Sequence, residues 1–495
     1  MQRTQIRNMS SALEEKLPFH LIFSTISFLL IAIFLYKRLL FIAKCNKKLN
    51  LPPNPQTLPI IGNLHQLGKL PHRSLRSLSQ KYGDYMLLYL GNRATLVVSS
   101  ATAAEQIMKT HDIIFANRPK LRFVDKIFYD GNDVAFASYG EKWRHKKAIC
   151  VTKVLNNKRV QSYRPIRQEE VGHLIETIKS CDGGVINLSK SLTMLFKGVI
   201  CRTALGRKYD DDNDFYKLFR ELTMVMGEVS VGDYVPSLGW VDRLTGLQGR
   251  AENVRKRFDE FIEKVIQDHQ IRVKAAVDDE ERQHIEDFVD ILLEIQREDP
   301  DQLSTQTIKA LILGYGKIQT EVRSIDKANT RVTEDDLTNL DYLKAVIKET
   351  LRLHAPAPLL LFRESSENVK IDKYDISART QIIINACAIQ LNPKYWQDPE
   401  DFIPERFLNN SSSIDFKGHH FQFIPFGAGR RSCPAMAYAI VNVELVLANL
   451  VNEFNWKLSN GQEGDTLDVD ESPGVTIGRR NPLMVIATPN DPPCY

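Results

Sequence analysis

Three features are scarce in this sequence, and each absence excludes a class of protein. The seven cysteines are widely spaced, with no CxxC pair and no Cys/His cluster, so neither a disulfide framework nor a zinc site is predicted. The net charge of +4 is small for 495 residues and gives no support for a nucleic-acid partner. No repeat recurs at solenoid or propeller periods. The remaining composition, 43% hydrophobic and 25% charged, is that of a globular protein, and its thiols suit a reducing, cytosol-facing environment.

One long apolar run lies near the N-terminus. Residues 17–36 contain no Asp, Glu, Lys or Arg, and a helix of that length spans about 30 Å, the thickness of the hydrocarbon core. The flank after the run is basic and without acids, so the positive-inside rule places the rest of the chain in the cytosol. We predict a lumenal segment over 1–16 and a single transmembrane anchor over 17–36. A cleaved signal peptide fits less well, because the run is long and no small-residue cleavage site follows. A buried core helix is disfavoured by the terminal position.

The chain after the run divides into a linker and a body. Residues 37–59 are basic and then proline-rich, which favours an extended, stiff linker, and residues 60–495 form the body. The body has the patterns of a mainly helical α+β fold with small β-sheets. The predicted elements are a hairpin over 85–99 about Gly91-Asn92, an amphipathic helix over 251–271, a helix within Thr333–His354 with Thr333 as N-cap, short strands within Ile371–Ala388, and a last helix over Met436–Phe454.

The loop before Cys433 carries the most specific pattern. It contains Gly427 and Gly429, which permit tight turns, and Pro434 follows the cysteine at what the pattern predicts to be the first helical position. A cysteine at a helix N-terminus is favoured as a thiolate, which is a suitable ligand for haem iron. A lone cysteine is usually a small buried apolar residue, so the weight rests on the surrounding loop.

Four motifs in order make the chain resemble a plant microsomal (A-type) cytochrome P450. The loop Pro425-Phe-Gly-Ala-Gly-Arg-Arg-Ser-Cys433 is similar to the family's haem-thiolate loop, and Glu349-Thr-Leu-Arg352 is similar to its Glu-x-x-Arg helix. Pro404-Glu-Arg406-Phe and Trp143-Arg144-His-Lys-Lys147 resemble two further family segments. The resemblance covers nearly the whole chain.

The resemblance implies a P450 fold and a haem b cofactor with Cys433 as its axial thiolate. It implies that haem contacts come from Trp143, Arg144, Arg363, Phe426 and Arg431, with arginines suited to the propionates. It also implies a buried network of Glu349, Arg352 and Arg406. The expected activity is hydroxylation of a small hydrophobic plant metabolite, a terpenoid or phenylpropanoid, with electrons from NADPH through cytochrome P450 reductase. The expected location is the endoplasmic reticulum membrane, with the catalytic domain facing the cytosol. Substrate contacts are expected within 115–136, 357–361 and 475–477.

The chain departs from the family pattern at one major place. Ala435 and Ser138 replace a usual Gly and Pro, and both changes are minor. The larger departure follows Leu313, where the family's Ala/Gly-Gly-x-Asp/Glu-Thr-Thr/Ser motif for oxygen activation is absent. By comparison with the family pattern, about 25 residues are missing, or roughly 35–40 Å of helix. Gly314-Tyr-Gly-Lys317 does not match a Walker phosphate loop. Because the flanking motifs are intact, an alternative splice product or a gene-model error is the hypothesis.

Three functions therefore remain open from the sequence. The first is a haem-thiolate monooxygenase. The second is a haem-thiolate isomerase or dehydratase, which needs no oxygen-activating threonine but usually has an altered cysteine loop. The third is a catalytically impaired chain that lacks the oxygen-activation motif.

Overall fold

The computed structural model describes residues 49–208, 213–276, 331–408, 414–459 and 470–489 apart from 473 and 475, together with 23–26, 28, 29, 32 and 287. These residues fall into two compact units, divided between Leu51 and Pro52 and again around Asp372–Asp375. Within the described ranges, no helix combines the length and apolar character needed to cross a membrane. Most of the predicted anchor 17–36, and the join after Leu313, lie outside the described residues.

The body is rich in helices. The α-helices of the described residues are α1 Pro71–Tyr82, α2 Ala101–Glu105, α3 Arg122–Ile127, α4 Glu141–Ile149, α5 Asn157–Ser162, α6 Arg164–Lys179, α7 Leu188–Leu205, α8 Asn213–Gly227, α9 Val231–Tyr234, α10 Val241–Leu244, α11 Leu247–Ala276, α12 Asp341–Leu353, α13 Ala386–Gln390 and α14 Met436–Glu453. Short 3₁₀ turns cover Leu64–Gln66, Pro236–Leu238, Asp336–Asn339, Pro404–Phe407 and Gly429–Arg431, and π-helical turns follow α2 and α4.

The strands are short and form small sheets. Their bounds are β1 Tyr85–Leu90, β2 Arg93–Val98, β3 Val185–Asn187, β4 Arg363–Glu364, β5 Val369–Ile371, β6 Tyr374–Ile376, β7 Gln381–Ile384, β8 Phe454–Leu458, β9 Glu471–Ser472, β10 Gly478–Arg479 and β11 Met484–Pro489. One sheet has the order β1-β2-β7-β4, another β3-β11-β8, and β9 pairs with β10. The predicted hairpin is confirmed, because β1 and β2 pair antiparallel from Tyr85 opposite Val98 to Leu90 opposite Arg93.

The core of the larger unit is built around α14. Nearly every side chain of this helix from Tyr438 to Asn452 is buried, which is the pattern of a helix enclosed on all sides. Helix α6 packs against both α7 and α14. The Tyr438 hydroxyl lies 2.9 Å from that of Thr203 on α7, so a buried hydrogen bond joins the two helices. This core fixes the helix that follows the Cys433 loop.

Two sequence expectations need correction at the level of local structure. Thr333 does not cap a helix: its amide and hydroxyl both donate to the Asp336 carboxylate, closing a turn, and α12 begins only at Asp341. The proline segment is not wholly a free linker. Pro52 and Pro55 are buried, and the Pro53 carbonyl accepts a 2.9 Å hydrogen bond from the Leu87 amide of β1. The larger unit therefore begins at Pro52.

Helix α14 also contains a titratable group that makes the stability depend on pH. Burial raises the pKa of Glu444 from 4.5 to about 7, partly offset by Lys344. A carboxyl whose pKa is raised on folding binds more protons in the folded state, so the contribution of Glu444 to stability is fully present below pH 4.5 and is lost as pH rises through 7. We expect Glu444→Gln to be more stable than the parent chain by about 2 kcal/mol at pH 8, with little difference at pH 4.5. Urea unfolding at both pH values checks this, and an equal effect at both would contradict it.

Candidate haem-thiolate site

The Cys433 loop is a compact series of turns ahead of α14. The Cys433 amide donates to the Phe426 carbonyl at 3.0 Å, and the Gly427 amide donates to the Ile424 carbonyl at 3.0 Å. The cysteine is partly buried. Helix α14 starts at Met436, as the pattern of the last helix predicted, but Pro434 is not its first residue, because Pro434 and Ala435 form a turn. The loop thus delivers Cys433 just ahead of the first helical turn.

Gly429 is required by close packing as well as by backbone conformation. Gly427 and Gly429 have φ angles of +68° and +67°, which side-chain-bearing residues rarely adopt. A Cβ at Gly429 would lie 2.1 Å from the Met108 carbonyl oxygen, whereas a Cβ at Gly427 meets nothing closer than 3.8 Å. The Met108 turn therefore lies directly against the cysteine loop.

This difference allows a matched test of the loop. Gly427→Ala and Gly429→Ala carry the same backbone penalty, but only the second also forces atoms apart. We expect Gly429→Ala to lower the free energy of unfolding by about 2 kcal/mol more than Gly427→Ala. Urea titrations of both variants measure the difference. Equal losses would show that Met108 does not confine the loop.

Two of the arginines that the resemblance assigned to haem are buried, one within this loop and one beside it. Arg431 donates to the Ala116 carbonyl at 2.7 Å, and its guanidinium lies over the Trp143 ring, 4.1 Å from the ring centre. The Trp143 indole donates to the Val134 carbonyl at 2.9 Å. Arg363, on β4, donates to the Ala428 carbonyl of the loop at 2.8 Å. The structure thus brings Trp143, Arg363 and Arg431 together.

Arg144 is placed differently from its neighbour Trp143. Its side chain is exposed and makes no hydrogen bond or ion pair with another described residue. Lys147, one turn further along α4, reaches the loop instead and donates to the Ser432 carbonyl at 3.0 Å. Phe426 packs its ring edge-on against Phe416, with ring centres 5.7 Å apart.

Three residues near the loop were not singled out from the sequence. Asp112 accepts from Arg363 at 3.1 Å and from the Arg430 amide at 2.8 Å. Arg118 is buried and donates to the Leu361 and Phe362 carbonyls, each at 2.7 Å. Lys147 is the third, and its signal was present as the last residue of the Trp-Arg-x-x-Lys pattern. Asp112 and Arg118 belong to no such pattern.

The buried charges around the loop do not balance. Burial, followed by the charge of Arg363, lowers the pKa of Arg431 to about 9. Burial, followed by Arg431, lowers the pKa of Lys147 to about 8, and Cys433 opposes that shift. Burial and then Arg431 also lower the pKa of Arg118. Among the described residues, the cations here are the buried Arg118, Arg363 and Arg431 and the partly buried Lys147, and the buried carboxylates facing them are Asp112 and Asp133.

This excess of positive charge can be compared with the charge that haem would bring to the site. Buried cations that repel one another are stabilised by an anion, and carboxylates are the natural partners of arginine. Haem would supply two propionates to these cations, and a nearby ammonium favours the thiolate form of Cys433. The residues present therefore fit haem.

The second arrangement near the site is a buried ionic network. The Glu349 carboxylate accepts from Arg352 Nε at 2.7 Å and Nη2 at 2.8 Å, and from Arg406 Nε at 3.0 Å. It also accepts from the Ile403 amide at 2.9 Å. Glu349 and Arg352 have no exposed side-chain surface. These contacts join α12 to the segment after Trp396.

Three features together agree with a haem-thiolate protein. They are the helix-rich body, the cysteine loop ahead of the central core helix, and the excess of buried cations beside that loop. A family model described as cytochrome P450 matches residues 52–315 and 315–484. The chain belongs to the cytochrome P450 family, whose members are haem-containing oxidoreductases that receive electrons from a reductase.

Curated plant proteins resemble the chain over nearly its whole length. Cytochrome P450 71A22 of Arabidopsis thaliana is 45% identical, with 94% of this chain and 99% of that protein aligned. Norfluorocurarine oxidase of a Strychnos species is 44% identical, over 95% of this chain and 98% of that protein. A 3-beta-hydroxylase of Tanacetum parthenium is 43% identical, over 94% of this chain and 98% of that protein. The resemblance to plant A-type P450s is confirmed.

Proposed function

We propose that this chain is a haem-thiolate monooxygenase in which Cys433 binds the iron of haem b. The observation that carries the proposal is the excess of buried positive charge beside the Cys433 loop. Bound haem supplies the iron at which oxygen is activated. Arg363, Arg431 and Lys147 would hold its propionates, and Trp143 would keep Arg431 in place by stacking. Because Lys147 rather than Arg144 reaches the loop, we assign Lys147 the role that the resemblance gave to Arg144.

The substrate we propose is a small hydrophobic plant metabolite of the terpenoid or phenylpropanoid class. Two aligned relatives from plants are named norfluorocurarine oxidase and 3-beta-hydroxylase, which supports oxidation of a small plant molecule by this chain. Electrons would come from NADPH through cytochrome P450 reductase. The charge-free run 17–36 and its basic flank support a single-pass anchor in the endoplasmic reticulum membrane, with the body in the cytosol.

The second candidate is a catalytically impaired chain that lacks the oxygen-activation segment. Two observations favour it. The family match is divided into two parts that meet at residue 315, close to where the sequence departs from the family pattern. The alignment with the Arabidopsis relative is 499 positions long, but it includes only 94% of the 495 residues of this chain. The relative therefore has residues without a counterpart here.

One experiment separates the two candidates. The full chain and a version carrying a family-type oxygen-activation segment after Leu313 are each expressed with reductase and given a panel of terpenoids and phenylpropanoids under ¹⁸O₂. An NADPH-dependent product with one labelled oxygen from the unaltered chain supports the monooxygenase. A product from the extended version alone supports the impaired chain. No product from either would contradict the proposed substrate class.

A further inference from the structure

Gln390 joins the ionic network to the cysteine loop through a single side chain. It is the last residue of α13 and has no exposed surface. Its amide nitrogen donates to the Leu351 carbonyl at 2.9 Å and to the Arg352 carbonyl at 3.0 Å. Its amide oxygen accepts from the Ile424 amide at 3.0 Å. The amide is thus bonded at both ends to backbone groups of two distant segments.

One end of this connection completes α12. Leu351 and Arg352 lie in the last turn of that helix, where carbonyl groups have no partner within the helix. Gln390 supplies donors to both. Arg352 returns a bond, since its Nη1 donates to the Gln390 carbonyl at 3.0 Å. The position of Gln390 is therefore fixed by the same arginine that holds Glu349.

The other end reaches the turn that carries Cys433. The Ile424 carbonyl accepts from the Gly427 amide, and the Phe426 carbonyl accepts from the Cys433 amide. The Ile424 amide ties the start of this series of turns to the body, in addition to the bonds that Arg363, Lys147 and Asp112 make further along it. A buried amide without an acceptor costs more than an average hydrogen bond contributes, so loss of Gln390 favours a rearrangement that brings the Ile424 amide to another acceptor.

We infer that Gln390 is a positioning residue, which transmits the rigidity of the Glu349–Arg352–Arg406 network to the Cys433 loop. The inference rests on the proposed haem-thiolate function for its purpose, but the mechanical link is a property of the protein alone. It can therefore be measured without haem. The competing explanation is that Gln390 only satisfies buried polar groups and contributes to overall stability.

Hydrogen–deuterium exchange on the full chain distinguishes the two. Gln390→Leu keeps the side-chain size but removes all three bonds, and we expect amide exchange in the 424–433 peptide to accelerate about tenfold. Asn449→Leu is the matched control. Asn449 is an equally buried amide on α14 with three bonds, two to Val332 and one to Leu445. Its loss is expected to accelerate exchange near Val332 and to leave the 424–433 peptide unchanged.

A second variant keeps the test decisive if Gln390→Leu does not fold. Gln390→Glu, whose carboxyl is kept protonated by burial, retains an acceptor for the Ile424 amide and one of the two donated bonds, so the 424–433 peptide is expected to exchange as in the parent chain. Three results for amide exchange in the 424–433 peptide would each overturn the inference. They are faster exchange in Gln390→Glu, unchanged exchange in Gln390→Leu, and equally fast exchange in Asn449→Leu and Gln390→Leu.

In haem-loaded protein the same variants have a spectroscopic readout. Gln390→Leu is expected to convert part of the reduced CO band from about 450 nm to about 420 nm, while Asn449→Leu is not. Failure of the parent chain to bind haem would contradict the proposed function, and the exchange experiment would still decide the role of Gln390.

Discussion

Replacing Cys433 with alanine should leave the chain unable to retain haem. The residue supplies the thiolate of the proposed site, while Arg363, Arg431 and Lys147, which lie in or beside the same loop, would hold only the propionates. Without the iron–sulfur bond, haem would be held only by pairs between its propionates and these cations, which place no ligand on the iron. We expect the haem-to-protein ratio after gel filtration to fall at least about tenfold, measured by absorbance of the extracted haem.

The control for this prediction is another cysteine of the same chain. Cys181 is exposed in the turn after α6, far along the chain from the loop, and Cys181→Ser should retain haem as the parent does. Equal retention by Cys433→Ala and Cys181→Ser would show that Cys433 is not the ligand. A fall in both would indicate damage to the fold in place of a lost ligand.

Replacing Glu349 with alanine should cause the largest loss of stability. The substitution leaves Arg352 buried, charged and without its carboxylate, and removes the acceptor of the Arg406 side chain and the Ile403 amide. Removing one member of a buried ion pair costs about 3–5 kcal/mol. Because whole domains are stable by only about 5–15 kcal/mol, we expect the substitution to remove a large fraction of the free energy of unfolding. Circular dichroism during urea titration measures the loss.

Glu400 gives the matched comparison. It also pairs with an arginine, Arg76, but its side chain is 62% exposed, whereas that of Glu349 is 0% exposed. We expect Glu400→Ala to cost less than about 1 kcal/mol, as surface pairs usually do. Similar losses from both substitutions would contradict the assignment of Glu349 as the centre of a buried network.

The sequence revealed the parts of the site that are written in short local patterns. The Cys433 loop, the Glu349–Arg352 pair and the Trp143 segment each occupy a few consecutive residues, so their chemistry is visible before folding. Asp112 and Gln390 are different. Asp112 meets Arg363 across 251 residues, and Gln390 meets Ile424 across 34, and neither has a neighbouring residue that signals the contact. Contacts of this kind exist only once the chain is folded.

Element boundaries were less predictable than elements. The start of α14 at Met436 was predicted correctly, but Pro434 was also expected to be helical, because proline suits a first helical position. The tight Cys433 loop instead continues through Ala435 before the helix starts. Thr333 was expected to cap a helix, but its hydroxyl donates to Asp336 and closes a turn. Glu334, within that turn, is held in place by a buried ion pair with Arg167. In both cases tertiary contacts set the boundary.

The reduced, CO-bound absorption spectrum of the full, unaltered chain tests the central claim most directly. If Cys433 binds haem iron as a thiolate beside the buried cations of its loop, the spectrum shows a band at about 450 nm. A band only near about 420 nm, or no haem band at all, would contradict the claim.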